Sequence, residues 1–240
     1  FGYEPGNPVL HKVSVTINPG EKLAVVGPTG SGKSTLIRLL GRFYDFPDNT
    51  IFLDDIDLKN LHSSEVRRRI GVVMQDFHIF SGSILDNIIL GTKGVSREDA
   101  IRAACLVNAD SFIEQLPEGY DTLLVERGQN LSQGERQLLA FARVIATDPE
   151  ILVLDEATAS IDTETEQLIQ QALAKIMVGR TSILIAHRLQ TIQEADRILV
   201  LKNGAVKELG THDELIALGG VYHTLNELQF QDVNQSGESL

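Results

Sequence analysis

A single cysteine, Cys105, stands among the 240 residues, so the chain can form neither an intrachain disulfide nor a cysteine-based zinc site. A reducing compartment is compatible with that. Cys105 falls in a helical pattern, where a small buried hydrophobe is its expected role. Positive charge is scarce as well: 21 Lys and Arg stand against 33 Asp and Glu, a formal net charge of −12. The chain thus lacks the Lys and Arg excess with which general nucleic-acid binders neutralise phosphates, and it has no polybasic membrane anchor. A solvated surface accounts for the acidity. No apolar run approaches the length that spans a bilayer, and no signal peptide opens the sequence. Work at a membrane would need another domain or chain. His11, His62, His78, His212 and His223 show no metal-ligand spacing.

What is present reads as one α/β domain, with 42% hydrophobic and 22% charged residues. Val13, Val15 and Ile17 alternate with Ser14 and Thr16, which predicts a half-buried strand. Asn18-Pro19-Gly20 turns the chain into Leu23-Ala24-Val25-Val26, a short buried strand. A helix is predicted from about Ser34, with Leu36, Ile37, Leu39 and Leu40 inward and a stop at Gly41. Ile51–Leu53 and Val72–Met74 predict further strands. From about Ser83 to Ala146 the pattern is mainly helical, with capping boxes at Ser96/Asp99 and Ser132/Glu135. Strand patterns return at Ile151–Leu154 and Ser182–Ile185, and the intervening helix carries Leu168, Ile169, Ala172, Leu173 and Ile176. A hairpin turning at Asn203-Gly204 and a helix capped by Thr211 with Glu214 close the fold. The polar tail 231–240 reads as disordered, which leaves 1–230 as the domain, with a helical subdomain over about 76–146.

The strongest local signal is Gly27-Pro28-Thr29-Gly30-Ser31-Gly32-Lys33-Ser34, which matches G-x-x-x-x-G-K-[ST] at every fixed position. It lies between a hydrophobic strand and an amphipathic helix, where glycines let consecutive N–H groups point at phosphate oxygens and the helix N-terminus favours negative charge. Lys33 would meet β- and γ-phosphates, Ser34 would ligate Mg²⁺, and Thr35 would complete the nucleotide-binding set. Ile151-Leu152-Val153-Leu154-Asp155-Glu156 supplies the complement: a strand buried on both faces ending in two carboxylates. Asp155 would hold Mg²⁺ through water, and Glu156 would orient or deprotonate an attacking water.

Leu131-Ser132-Gln133-Gly134-Glu135, some twenty residues before Asp155, resembles the L-S-G-G-Q signature of the ABC (ATP-binding cassette) family. Essentially the whole chain shares the resemblance. It implies a P-loop NTPase core with a mostly parallel sheet, an antiparallel β-subdomain and an inserted helical subdomain. Tyr3 resembles the aromatic that stacks on adenine, and Gln75 the Q-loop glutamine that meets Mg²⁺ and the membrane domain. Ser160-Ile161-Asp162 resembles the D-loop, and His187 the switch histidine. The stretches Gln75–Ile84 and Glu126-Arg127-Gly128 resemble exporters in particular.

The resemblance therefore implies an ATPase that works as the motor of a membrane exporter, on the cytoplasmic face, with ATP and Mg²⁺ as ligands. Two such domains would close around two ATP molecules, each signature facing the other's γ-phosphate. The second domain would be an identical or a different chain, a transmembrane domain would be the further partner, and no nucleic acid is involved. Glu156, His187 and Gln75 would be the catalytic residues. Phe1 opens where the family has a preceding strand, so a piece of a longer polypeptide is expected.

Gln133 and Glu135 depart from the signature. Glu135 either caps the helix begun at Ser132 or points a repelling carboxylate at nucleotide. Phe77 and Phe80 read equally as core and as part of a membrane-domain contact, while Arg67-Arg68-Arg69 reads as a solvated helix face. A chromosome-organising ATPase would carry a long coiled coil where only about 100 residues separate loop and signature. A translation-associated protein would carry two cassettes, and a non-hydrolysing module would lack the Glu156 carboxylate. An importer ATPase would carry a C-terminal regulatory domain.

Overall fold

A computed structural model describes residues 1–74, 77–155, 163–185 and 189–228. In chain order its elements are β1 (Lys22–Val26), α1 (Lys33–Leu40), β2 (Phe52–Leu53), β3 (Ile56–Asp57), α2 (Ser63–Arg69), β4 (Ile70–Val73), β5 (Gly82–Ser83) and α3 (Ile84–Ile89). There follow α4 (Arg97–Leu106), α5 (Asp110–Ile113), β6 (Leu123–Leu124), α6 (Gln133–Ile145), β7 (Ile151–Asp155) and α7 (Thr163–Met177). The chain closes with β8 (Thr181–Ile185), α8 (Leu189–Gln193), β9 (Arg197–Lys202), β10 (Ala205–Gly210) and α9 (His212–Leu218). The described residues form two compact units, one from 1–62, 153–155, 181–185 and 189–228, the other from 63–74, 77–152 and 163–180.

In the first unit the strand order is β10-β9-β1-β8-β7. β1 pairs in parallel with β8 (Leu23 opposite Ile183) and with β9 (Leu23 opposite Arg197), while β10 runs antiparallel to β9. A central strand covered on both faces needs apolar side chains on both, and Leu23, Ala24, Val25 and Val26 are all buried. Ala24 and Val26 join Ile198, Val200, Leu215 and Tyr222 in one core cluster. β2 and β3 form a short antiparallel hairpin. Arg197 at the start of β9 pairs with Glu21 at 2.6 Å and donates to the Thr16 carbonyl at 2.6 Å.

Val13, Val15 and Ile17 are half-buried and Ser14 and Thr16 exposed, as the alternation requires, but the segment belongs to no ladder among the described residues. The predicted strand is irregular chain. Alternation reports which side is covered; a strand also needs a neighbour's N–H and C=O groups. Residues 221–228 form a helical stretch that the sequence pattern did not reveal. Its first N–H groups, on Val221 and Tyr222, donate to the Glu208 carboxylate of β10 at 2.5 and 2.9 Å. That cap comes from a distant residue and leaves no local signature.

The second unit is built around α6, which packs against α3, α4 and α7. Capping boxes open α4 and α6 at Ser96/Asp99 and Ser132/Glu135, and Thr211/Glu214 opens α9 in the first unit. A fourth, Ser83/Asp86, opens α3 with the same S-x-x-D spacing. Arg67 and Arg68 are exposed on α2, and Arg69 pairs with Glu150 at 2.9 Å. Cys105, expected to be buried, is exposed. The phase of α4 turns Ala100, Ala103 and Ala104 inward and leaves Cys105 outside. No helix among the described residues is long and apolar enough to cross a membrane.

Candidate functional site

The loop after β1 folds in a way that its residue types require. Gly27 has φ 151°, and a Cβ there would lie 2.0 Å from the Leu201 carbonyl oxygen, so only glycine fits. Gly32 caps α1 at φ 104°. Ser31, Gly32, Lys33 and Thr35 are buried, while Pro28, Thr29, Gly30 and Ser34 are exposed. Lys33 curls back over the loop and its Nζ donates to the carbonyls of Gly27 at 2.7 Å and Pro28 at 3.2 Å. Burial pushes the Lys33 ammonium below the ordinary lysine range, and the Asp155 carboxylate at the end of β7 opposes that shift. The Ser31 hydroxyl is buried without a hydrogen-bond partner among the described residues. A buried cation held by neutral carbonyls, beside an unsatisfied hydroxyl at a helix N-terminus, is chemically suited to an anion.

The β9–β10 hairpin braces this loop. Its turn, Asn203-Gly204, has φ 52° and 71°. The Gly204 N–H donates to the Ser31 carbonyl at 3.1 Å, and the Gly204 carbonyl accepts from the His11 N–H at 2.7 Å. The hairpin was legible in the sequence; its contact with the phosphate loop was not, because it joins residues some 170 positions apart.

Tyr3 lies near the same helix. Its hydroxyl donates to Thr35 Oγ1 at 3.0 Å, and its proximity holds the Arg38 guanidinium above its ordinary range. Tyr3 is 41% exposed. Phe1 and Tyr44 pack against it, ring centroids 5.3 and 4.9 Å away. Sequence reasoning singled out Tyr3 and passed over Tyr44. In the first unit, then, Tyr3, the loop Gly27–Ser34, Thr35 and Asp155 are all described.

The signature belongs to the second unit. Ser132 is the exposed N-cap of α6; its Oγ accepts from the Glu135 N–H at 3.2 Å, and the Glu135 carboxylate accepts from the Ser132 N–H at 2.7 Å. Glu135 therefore caps the helix. Leu131 is buried and Gln133 exposed. Arg136 donates to the carbonyls of Leu131 at 2.7 Å and Gly128 at 3.3 Å, tying the signature to the Arg127-Gly128 turn. Arg143 on the same helix donates to the carbonyls of Asn87 at 2.8 Å and His78 at 2.9 Å, and its guanidinium lies 5.8 Å from the centre of the Phe80 ring. Phe80 is 44% exposed and Phe77 half-buried. Neither arginine carried a sequence signal, since both fall inside an ordinary amphipathic pattern. Gln75, Glu156, Ser160, Ile161, Asp162 and His187 lie outside the described residues.

Comparison with known proteins gives this arrangement its class. The family model described as "ABC transporter" matches residues 10–159. The ATP-dependent lipid A-core flippase of Syntrophus aciditrophicus is 45% identical over 232 residues, covering 97% of this chain and 38% of that protein. The mitochondrial iron-sulfur clusters transporter atm1 of Aspergillus fumigatus is 45% identical over 240 residues, covering 99% of this chain and 33% of that one. Among solved structures, a bacterial Atm1-family ABC exporter with ATP bound superposes with a TM-score of 0.86 at 41% identity, over 100% of this chain and 41% of that chain. The chain belongs to the ABC transporter family and has its ATPase fold, similar to the corresponding part of exporters. It spans well under half the length of the curated relatives it matches.

Proposed function

We propose that this chain is the ATP-hydrolysing motor of a membrane exporter, closing with a second nucleotide-binding domain around ATP and reopening on hydrolysis. The observation that carries the reading is the phosphate loop itself. Lys33 is buried over the Gly27 and Pro28 carbonyls at the start of α1, where the Asp155 carboxylate of β7 acts on it electrostatically. The triphosphate of ATP supplies what that ammonium and the Ser31 hydroxyl lack.

Ser34 and Asp155 offer hard oxygen donors, which fits Mg²⁺. Bound there, the ion would neutralise charge on the phosphates. Lys33 and the loop N–H groups bind and orient the triphosphate, and Tyr3 stacks on the base. Glu156 takes the proton of the attacking water, His187 and Gln75 keep water and γ-phosphate in line, and general-base catalysis of this kind is worth about 10²–10⁴ in rate. On the partner domain, Ser132 and the start of α6 meet the γ-phosphate only after closure, so ATP favours the closed state by differential contact. The exposed Phe80, Leu123 and Val125 of the second unit offer apolar surface for the transmembrane domain.

The two relatives carry the names of different cargoes at the same 45% identity, which supports reading this chain as a shared motor with cargo choice residing elsewhere. The reading is tested by phosphate release from Mg·ATP across a range of protein concentrations. A rate per chain that rises with concentration supports the two-domain motor; no hydrolysis at any concentration contradicts it.

A further inference from the structure

Tyr3 sits in an irregular segment that carries the isolated bridge Glu4–Asn7. Among the described residues no helix or ladder includes Tyr3, so neighbouring side chains orient its ring. Three do so from α1 or directly after it. Thr35 accepts the hydroxyl proton at 3.0 Å, Arg38 lies beside the same hydroxyl, and Tyr44 meets the ring at 4.9 Å with an interplanar angle of 76°. Phe1 closes the cluster at 5.3 Å and 82° from Tyr3 and at 6.5 Å from Tyr44. These separations and near-perpendicular planes are the favourable edge-to-face geometry of aromatic pairs.

Tyr44 is itself held by the end of α1: Gly41 caps the helix, and the Phe43 N–H donates to the Arg38 carbonyl at 2.9 Å. One helix, roughly 12 Å long at 1.5 Å per residue, thus carries Lys33 and Ser34 at its N-terminal end. It carries Thr35 and Arg38 along its length, and Tyr44 follows its C-terminal end. Tyr3 and Tyr44 remain 41% and 43% exposed in a chain with 5% aromatics.

We propose that Tyr44 is a positioning residue for base recognition: it holds the Tyr3 ring in the orientation that stacks on the purine, coupling that orientation to the helix that holds the phosphates. The inference rests on the nucleotide-binding reading above. A preset ring spares the ordering entropy that a free side chain would lose on binding. Removing Tyr44 therefore weakens base-dependent binding and leaves phosphate-dependent binding alone.

The test compares wild type with Tyr44→Ala, Tyr44→Phe and Tyr3→Ala in the full chain, by calorimetric titration with Mg·ATP and with tripolyphosphate. Tyr44→Ala is expected to raise the Kd for ATP about 3- to 10-fold, the range of an aromatic pair, with tripolyphosphate unchanged. Tyr44→Phe keeps the ring and restores ATP affinity. In turnover, KM rises and kcat is kept. Equal weakening of ATP and tripolyphosphate by Tyr44→Ala would overturn the inference and make Tyr44 a support of the fold. Full ATP affinity in Tyr44→Ala beside a weakened Tyr3→Ala would overturn it too, while sparing the nucleotide reading. If Tyr3→Ala itself binds ATP like wild type, base stacking on Tyr3 fails and the inference falls with it.

Discussion

Gly134 and Thr165 are packed so closely that a Cβ on Gly134 would lie 1.9 Å from the Thr165 Cγ2 methyl. Gly134 is the second residue of α6 and Thr165 lies in the first turn of α7. The glycine of the signature is therefore required by the crossing of two helices inside the second unit, before any question of nucleotide arises. Thr165 is β-branched and has few χ1 rotamers in a helix, so relieving the contact means changing its rotamer or moving α7.

Gly134→Ala is expected to destabilise the domain. Helix propensity alone favours alanine by at most about 1 kcal/mol, whereas overpacking costs typically 1–3 kcal/mol, so the clash wins. Denaturant unfolding would register the loss, and ATP affinity of the monomer should stay near wild type, because the phosphate loop belongs to the other unit. A variant as stable as wild type would mean that α7 yields at no cost.

Lys33→Met separates stability from binding. Burial lowers the Lys33 pKa from 10.5, so the protonated side chain weighs against the fold at neutral pH. That cost is relieved only as pH rises through the depressed value. Replacing it with an apolar chain should leave the thermal midpoint unchanged or higher. ATP affinity should fall by about 10- to 100-fold, the scale of lost hydrogen bonds to a charged group. Calorimetry and a thermal scan on the same sample check both halves; a lower midpoint with intact binding would contradict both.

Glu135 offers a sharper question about the signature. Its carboxylate accepts the Ser132 N–H at 2.7 Å, and glutamine can occupy the same position of a capping box. Glu135→Gln should therefore keep stability and change ATP turnover by less than about threefold, a difference under 1 kcal/mol. A large rise in turnover would show that the carboxylate repels nucleotide in the closed state.

Much of this was legible in the sequence because the governing contacts are local. A capping box needs only residues three apart, so Ser96/Asp99, Ser132/Glu135 and Thr211/Glu214 could be read directly, and Ser83/Asp86 was readable by the same rule. The phosphate loop declares itself through glycines and a flanking buried strand. What escaped depends on tertiary contacts: the Glu208 cap on residues 221–228, the hairpin turn on Ser31, the Thr165 methyl on Gly134, and Tyr44 beside Tyr3. Val13–Ile17 failed for the converse reason, since a local pattern cannot supply a pairing partner.

The claim that ATP drives two such domains together, and that cleavage parts them, is tested most directly on Glu156→Gln. The substitution keeps the shape of the side chain and removes the proposed base, while Lys33, Ser34 and Asp155 still hold Mg·ATP. Hydrolysis should fall by about 10²-fold or more, roughly 2.7 kcal/mol of transition-state stabilisation. Size-exclusion chromatography at high protein concentration should then resolve a dimer with Mg·ATP and a monomer with Mg·ADP. A variant that loses hydrolysis yet stays monomeric with ATP at every concentration would contradict the account.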